Sequence, residues 1–387
     1  TGADAMTGNA GNDTYQVDNI GDVIVEALDE GADLVQSSLS YTLGINVENL
    51  QLLGTANLLG TGNSLANQLI GNDGNNLLTS LGGDDLLQGG RGIDTMVGGL
   101  GNDIYYVDNS ADVVTESTNQ GTDIVYVSSP GTGVNQQPLN GYVLPANVEN
   151  VIYFDLYLLF VVGNGLNNYF TGNDGDNRLD GAGGADTMEG GKGNDTYVVE
   201  NLGDLVIESG SEGTDIVEAS VNYTLSENVE NLILTGSAQE GKGNSGNNLL
   251  AGNSANNKLD GGSGNDTMAG GAGNDTYVVD AEGDVVNETM AGSSGIDVIM
   301  ASVDLTLPDA IEELELLGLN NLTGKGNSQN NKIVSNNGNN VIDGGGGNNT
   351  VDYKTANAGV NVDLATGQSS GGGGVDILTH IQNANGS

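Results

Sequence analysis

The sequence predicts an all-β protein, a parallel β-solenoid of short strands and tight turns. Three observations predict it. A glycine-rich unit of nine residues recurs along most of the chain, each copy with one large apolar residue at the same place. The stretches between repeat blocks keep β-rich runs at about the same spacing, centred near Val198, Val206, Ile216, Tyr223 and Leu232. Of 387 residues 65 are glycine, yet apolar residues still make up 36%, enough to supply a core.

The units are read directly from the chain. From Gly62 come GNSLANQLI, GNDGNNLLT, SLGGDDLLQ, GGRGIDTMV and GGLGNDIYY. Similar blocks start at Gly163, Gly243 and Gly326; a shortened one stands at Gly8, and GGGGVDILT starts at Gly371. The template is G-G-x-G-x-D-x-U-x, with U large and apolar. Glycines at positions 1, 2 and 4 permit positive φ and close backbone approach. Such a turn points carbonyl oxygens inward, and the aspartate at position 6 adds a charged hard oxygen. Six to eight oxygens at about 2.3–2.6 Å suit Ca²⁺. With no Cys and a single His, soft or imidazole-favouring metals are poorly served.

This pattern resembles the RTX, or haemolysin-type calcium-binding, repeat family, over most of the chain. The resemblance implies a right-handed parallel β-roll in which six residues turn and bind calcium, three form a strand, and two nonapeptides complete a coil. It also implies export of an unfolded chain by a type I system, and folding outside the cell where calcium is plentiful.

Net charge fits that expectation. Asp and Glu number 52 against 8 Lys and Arg, a formal charge of -44. Solvation is one reading; neutralisation by cations on folding is the other. Nucleic acid is excluded as a partner, because phosphate binding needs a basic surface. No cysteine means no disulfide and no thiolate site. No apolar run approaches the ~18 residues of a membrane span; the longest, Tyr153–Val162, is interrupted by Asp155.

Coils of two nonapeptides place residues about 18 apart on one side. Position 6 is Asn early in each block (Asn67, Asn76, Asn168, Asn177, Asn248, Asn257, Asn331, Asn340) and Asp later. Carboxylate pairs then stack at Asp4/Asp22, Asp85/Asp103, Asp94/Asp112, Asp186/Asp204 and Asp266/Asp284. Asp13/Asp33, Asp103/Asp123, Asp195/Asp215 and Asp275/Asp297 need a longer turn, and Asp376 belongs to the last unit. Like charges one coil apart repel unless a cation lies between them, so these aspartates are the expected calcium ligands. The Asn turns are expected to hold amide ladders without metal, and the block ending in Asn349 departs from the family pattern.

The expected modules are 1–97, 98–189 with a loop excursion near 129–142, 190–269, 270–343 and a partial one at 344–387, all in one solenoid. Separate β-sandwich inserts are the alternative. Pro130 and Pro138 mark the excursion, since proline does not fit a central strand. The chain opens inside a repeat, and IQNANGS at its end looks like the start of another, so the native polypeptide is expected to continue.

Catalytic motifs are weak. HExxH needs two histidines. A G-x-S-x-G string at Gly367–Gly371 lies near His380, but it sits in a Gly/Ser loop rather than a strand–turn–helix elbow. The glutamates of NVENL and NVENV recur with the repeats, which favours a turn role over a glycosidase pair. The expected function is that of a non-enzymatic, secreted, calcium-stabilised stalk or fibre of a surface layer, matrix or adhesin. The alternative is the calcium-binding tail of a secreted hydrolase or epimerase. Copies of the chain are a further expected partner, through open β edges or a patch at Phe154, Tyr157 and Phe160; the competing reading has these aromatics filling a widened core.

Overall fold

The apolar residue at position 8 explains the architecture. Each nonapeptide ends in a short strand, most often of three residues with the middle side chain pointing inward, as in Gln68–Ile70, Leu86–Gln88 and Arg178–Asp180. Those middle residues are fully buried: Leu69, Leu78, Leu87, Met96 and Tyr105 in one block, Leu250, Leu259, Met268 and Tyr277 in another. The computed structural model describes residues 2–128, 141–153, 160–288 and 294–386. Among them all regular structure is β; there is no helix, and so no helix long and apolar enough to cross a membrane.

Two compact units are present: Thr1–Val198 with Gly203–Ile207, and Val199–Leu202 with Glu208–Ser387. Each is a β-solenoid. Outside one hairpin near the end of the chain, successive strands go to opposite sheets, and strands pair in parallel with the next but one. In the first unit one sheet has 11 strands, from Thr14–Val17 to Leu205–Ile207. The facing sheet includes Leu59–Thr61, Leu77–Gly82 and Thr95–Leu100. Register keeps like residues together: Leu69, Leu87 and Tyr105 stack, as do Leu78 and Met96. In the second unit Leu259 stacks on Tyr277 and Ile333 on Val351.

Segments between nonapeptide blocks continue the coils within each unit, so they are not separate sandwiches. Tyr15, Val35, Leu50 and Leu69 form one unbroken inward column across such a segment. Coil length varies there: 20 residues separate Asp13 from Asp33, and 15 separate Asp33 from Glu48. The turns carry the difference while the strands stay in register.

Glycine is required where coils touch. Gly92 has φ +127°, and a Cβ on it would lie 2.6 Å from the carbonyl oxygen of Gly74 one coil below. No L side chain fits that place.

Two expectations need refinement. Residues 129–140 of the excursion, with both of its prolines, lie outside the described residues, as do Phe154 and Tyr157. Gly141 and Tyr142, however, belong to a strand, Gly141–Val143, that pairs in parallel with Phe160–Val162. Phe160 itself is half-exposed. The last nonapeptide does not follow its neighbour directly. Ile377–Thr379 pairs in parallel with Val341–Asp343, while Val360–Asp363 and Gln368–Gly371 form an antiparallel hairpin between them in sequence. The G-x-S-x-G string is therefore largely in that hairpin. Ser369 is buried, and its hydroxyl accepts the Asp376 N–H at 3.0 Å; His380 instead pairs with Asp343 at 2.7 Å.

Candidate metal centre

Parallel coils turn the position-6 residues into ladders. The backbone N–H of one aspartate donates to Oδ1 of the aspartate one coil on. This joins Asp4 to Asp22 (3.0 Å), Asp85 to Asp103 (2.9 Å), Asp94 to Asp112 (2.9 Å), Asp186 to Asp204 (3.0 Å) and Asp266 to Asp284 (3.0 Å). The longer turns do the same: Asp13 to Asp33 (2.9 Å), Asp103 to Asp123 (2.8 Å) and Asp275 to Asp297 (2.8 Å). Asp195 accepts the Asn177 N–H at 2.7 Å in the first unit, and Asp215 donates to Glu230 at 2.8 Å in the second.

The other carboxylate oxygen decides the chemistry. Oδ2 of Asp13, Asp94, Asp103, Asp186 and Asp266 is buried and receives no hydrogen bond. It lies over the position-1 glycine: a Cβ on Gly89 would strike Asp94 Oδ2, and one on Gly181 would strike Asp186 Oδ2. In the Asn turns the equivalent oxygen is satisfied. Asn67 Oδ1 takes the N–H of Asn63 at 2.7 Å, and Asn76 Oδ1 takes that of Asn72 at 2.7 Å. In the Asp94 and Asp103 turns the position-2 residue is Gly90 at φ +86° or Gly99 at φ +98°, and its N–H is not given to the carboxylate. A buried acceptor without a donor is costly. A hard cation removes that cost, and carboxylate oxygens with turn carbonyls are the donors Ca²⁺ takes. The Asp turns fit the ion.

The Asn turns close without it. Asn168 Nδ2 donates to the Glu149 carbonyl at 3.1 Å, Asn248 Nδ2 to that of Val229 at 3.1 Å, and Asn331 Nδ2 to that of Ile311 at 3.0 Å. The amides are satisfied by backbone carbonyls one coil earlier, not by stacking on one another. At position 5 the side-chain amide likewise meets backbone and not another amide: Asn75 Oδ1 accepts the Ile93 N–H at 3.1 Å. Asp376 differs from the other aspartates. Its Oδ1 accepts the Asn340 N–H at 2.7 Å and its Oδ2 the Ser335 hydroxyl at 2.9 Å, so both oxygens are engaged.

Burial raises the carboxyl pKa values. Asp85 and Asp94 are pushed up to about 7, by burial first and by the neighbouring ladder charges Asp103 and Asp112 in addition. Asp186 and Asp275 rise to about 6 for the same reasons. The half-buried Asp22 moves down instead, because it accepts N–H groups from Asp4, Asn19 and Asp18.

Sequence reasoning missed part of the acidic lining. Glu26 and Glu116 are buried beside the ladder. Asp13, Glu26 and Asp33 each bring one oxygen within 4.8 Å of the others, and so do Asp103, Glu116 and Asp123. At that separation two charges repel by about 3–4 kcal/mol at an effective dielectric of about 20. Burial pushes Glu116 up to about 7, helped by the charges of Asp123 and Asp103 and opposed by the Tyr105 hydroxyl. The NVEN glutamates also join the ladder: Glu48 accepts the Asp33 N–H at 2.9 Å and Glu149 that of Asp123 at 2.8 Å; Glu312, in the corresponding AIEEL stretch, accepts that of Asp297 at 3.0 Å. The detectable signal was a glutamate 13 residues after each block-ending aspartate.

A family model of the RTX calcium-binding nonapeptide repeat, four copies long, matches residues 1–15, 61–96, 79–114, 162–197, 242–277 and 325–354. No curated protein matches the chain.

Proposed function

We propose that this chain, a protein of RTX calcium-binding nonapeptide repeats, is a calcium-folded structural segment of an extracellular stalk, fibre or surface layer, exported unfolded and without catalytic activity of its own. One observation carries the reading: the repeat turns hold buried aspartate oxygens with no hydrogen-bond donor, at Asp94, Asp103, Asp186 and Asp266. Such a ladder is self-repelling where calcium is scarce and neutralised where it is plentiful. Folding is thereby coupled to leaving a low-calcium compartment. Extracellular calcium sites are weak enough, at 10⁻⁴–10⁻³ M, to stay empty inside a cell.

The deciding experiment is a calcium titration followed by circular dichroism, starting from chelator. The expected result is little β signal without Ca²⁺, recovery in the millimolar range, and none with Mg²⁺, which is smaller and sheds water reluctantly. Equal β signal with chelator and with calcium would refute the reading.

A further inference from the structure

In four of the blocks the last nonapeptide is distinctive. Position 8 is Leu, Met or another apolar residue in most units, but Tyr in Tyr15, Tyr105, Tyr197 and Tyr277. Each of these tyrosines follows its aspartate by two residues, and a glutamate follows the same aspartate by 13: Glu26, Glu116, Glu208 and Glu288. Tyrosine and glutamate come as a set.

The first unit shows what the set builds. Tyr15 is 5% exposed, and its hydroxyl has no hydrogen-bond partner. A Cβ on Gly8 would strike both that hydroxyl and Asp13 Oδ2, so the two oxygens face the same small space. Glu26 is 7% exposed, and neither of its oxygens receives a hydrogen bond of ordinary geometry, the Gly8 N–H approaching without completing one. In the next block a Cβ on Gly98 would strike the Tyr105 hydroxyl, Asp103 Oδ2 and Glu116 Oε1 together. Tyr105 donates to Glu116 Oε1, which leaves Glu116 Oε2 buried without a donor. Glu116 occupies an inward-facing slot two residues after the core residue Val114. An acid in a core slot, aimed at two more acids and a phenol, is not a packing solution.

We propose that Asp13, Tyr15, Glu26 and Asp33, and likewise Asp103, Tyr105, Glu116 and Asp123, form a second kind of cation site, with three carboxylates and a phenol where the nonapeptide ladder pairs two carboxylates. The site takes a hard ion, Ca²⁺ under natural conditions. With three negative charges it binds a trivalent lanthanide more tightly than Ca²⁺. It also fills before the two-carboxylate turns, because more charge is relieved per ion. Its tyrosine holds the glutamate in place and sits beside the ion. This deepens the calcium reading and rests on it.

Terbium tests it. The chain has no Trp, so tyrosine is the antenna for sensitised Tb³⁺ emission. The native chain, Glu26→Gln, Glu116→Gln and the double variant are titrated with Tb³⁺, and circular dichroism in Ca²⁺ checks their folding. The expected result is one fewer tight Tb³⁺ equivalent in each single variant, two fewer in the double, and a matching stepwise fall in sensitised emission. In chelator each Gln variant should carry more β signal than the native chain, since a buried repelling charge is gone. A glutamate with only a structural hydrogen-bonding role would shift that signal the other way. Unchanged Tb³⁺ stoichiometry in variants that still fold with Ca²⁺ overturns the second site and leaves the general calcium reading standing. A native chain that binds neither Ca²⁺ nor Tb³⁺ overturns both.

Discussion

The backbone N–H of Asn76 donates to Oδ1 of Asp94 at 2.6 Å, 18 residues on, while Asp94 Oδ2 is buried with no donor at all. One oxygen of this carboxylate therefore fastens two coils together, and the other waits for a positive charge.

Replacing Asp94 by Asn separates these two roles. An amide oxygen keeps the coil contact, and the amide group removes the buried charge. Without calcium, Asp94→Asn should be more folded than the native chain. With calcium, its folding midpoint should need several-fold more Ca²⁺, because a charged ligand is lost. Circular dichroism titrations of both chains measure the two shifts; movement of both in the same direction would contradict this division of labour.

Glycine at position 1 is tested by contrast. A Cβ on Gly98 would strike Tyr105, Asp103 and Glu116, whereas one on Gly165 meets nothing within 4 Å. Gly98→Ala should cost more than ~2 kcal/mol, as overpacking of a buried site does. Gly165→Ala should stay within ~0.5 kcal/mol of the native chain. Thermal melts in saturating calcium compare them, and equal melting temperatures would show that the Gly98 space is not needed.

The repeat made much of this legible in advance. Position 8 identified the core, and Leu69, Leu87, Met96 and Leu259 are all fully buried. The 18-residue step identified the ladders, and Asp94/Asp112 and Asp186/Asp204 meet at that step. Glu26 and Glu116 escaped notice because they come from a strand end rather than a nonapeptide, so no fixed position in the template points to them. Asp376 was named in advance as a ligand, but its partners were not. A hairpin intervenes in sequence, so Asp376 meets Asn340 at a separation of 36, two coil steps instead of one, and Ser335 at 41.

Acidity acts on the calcium-free chain with a definite sign. Asp85, Asp94 and Glu116 reach about 7 in the folded chain, and Asp123, Asp186 and Asp275 about 6. Unfolded carboxyls titrate near 4. Between about pH 4 and 7 the folded chain therefore holds more protons than the unfolded one, and stability falls as pH rises. In chelator, β signal and urea resistance should increase on going from pH 8 to pH 5. In calcium the trend should reverse over the same window, since protonated carboxylates release the ion. A calcium-free chain that loses structure on acidification to pH 5 would contradict these shifts.

The last prediction converts one turn type into the other. Asn67 is closed by its own hydrogen bonds: Oδ1 accepts from Asn63 at 2.7 Å, and Nδ2 donates to the Glu48 carbonyl at 3.2 Å and to Asn63 Oδ1 at 3.2 Å. Asn67→Asp replaces that donor with an oxygen facing other oxygens. It also places a carboxylate next to Asp85, whose Oδ1 already accepts the Asn67 N–H at 2.6 Å. Without a cation the exchange should cost about 1–3 kcal/mol, the price of a buried unsatisfied group. With calcium the same oxygen becomes a ligand, and most of the loss should be recovered. The measurement is urea denaturation of both chains in chelator and in millimolar Ca²⁺. If the variant is equally destabilised in both conditions, a carboxylate at position 6 is not enough to make a calcium turn, and the Gly-Gly opening of units such as GGRGIDTMV must be part of the ligand set.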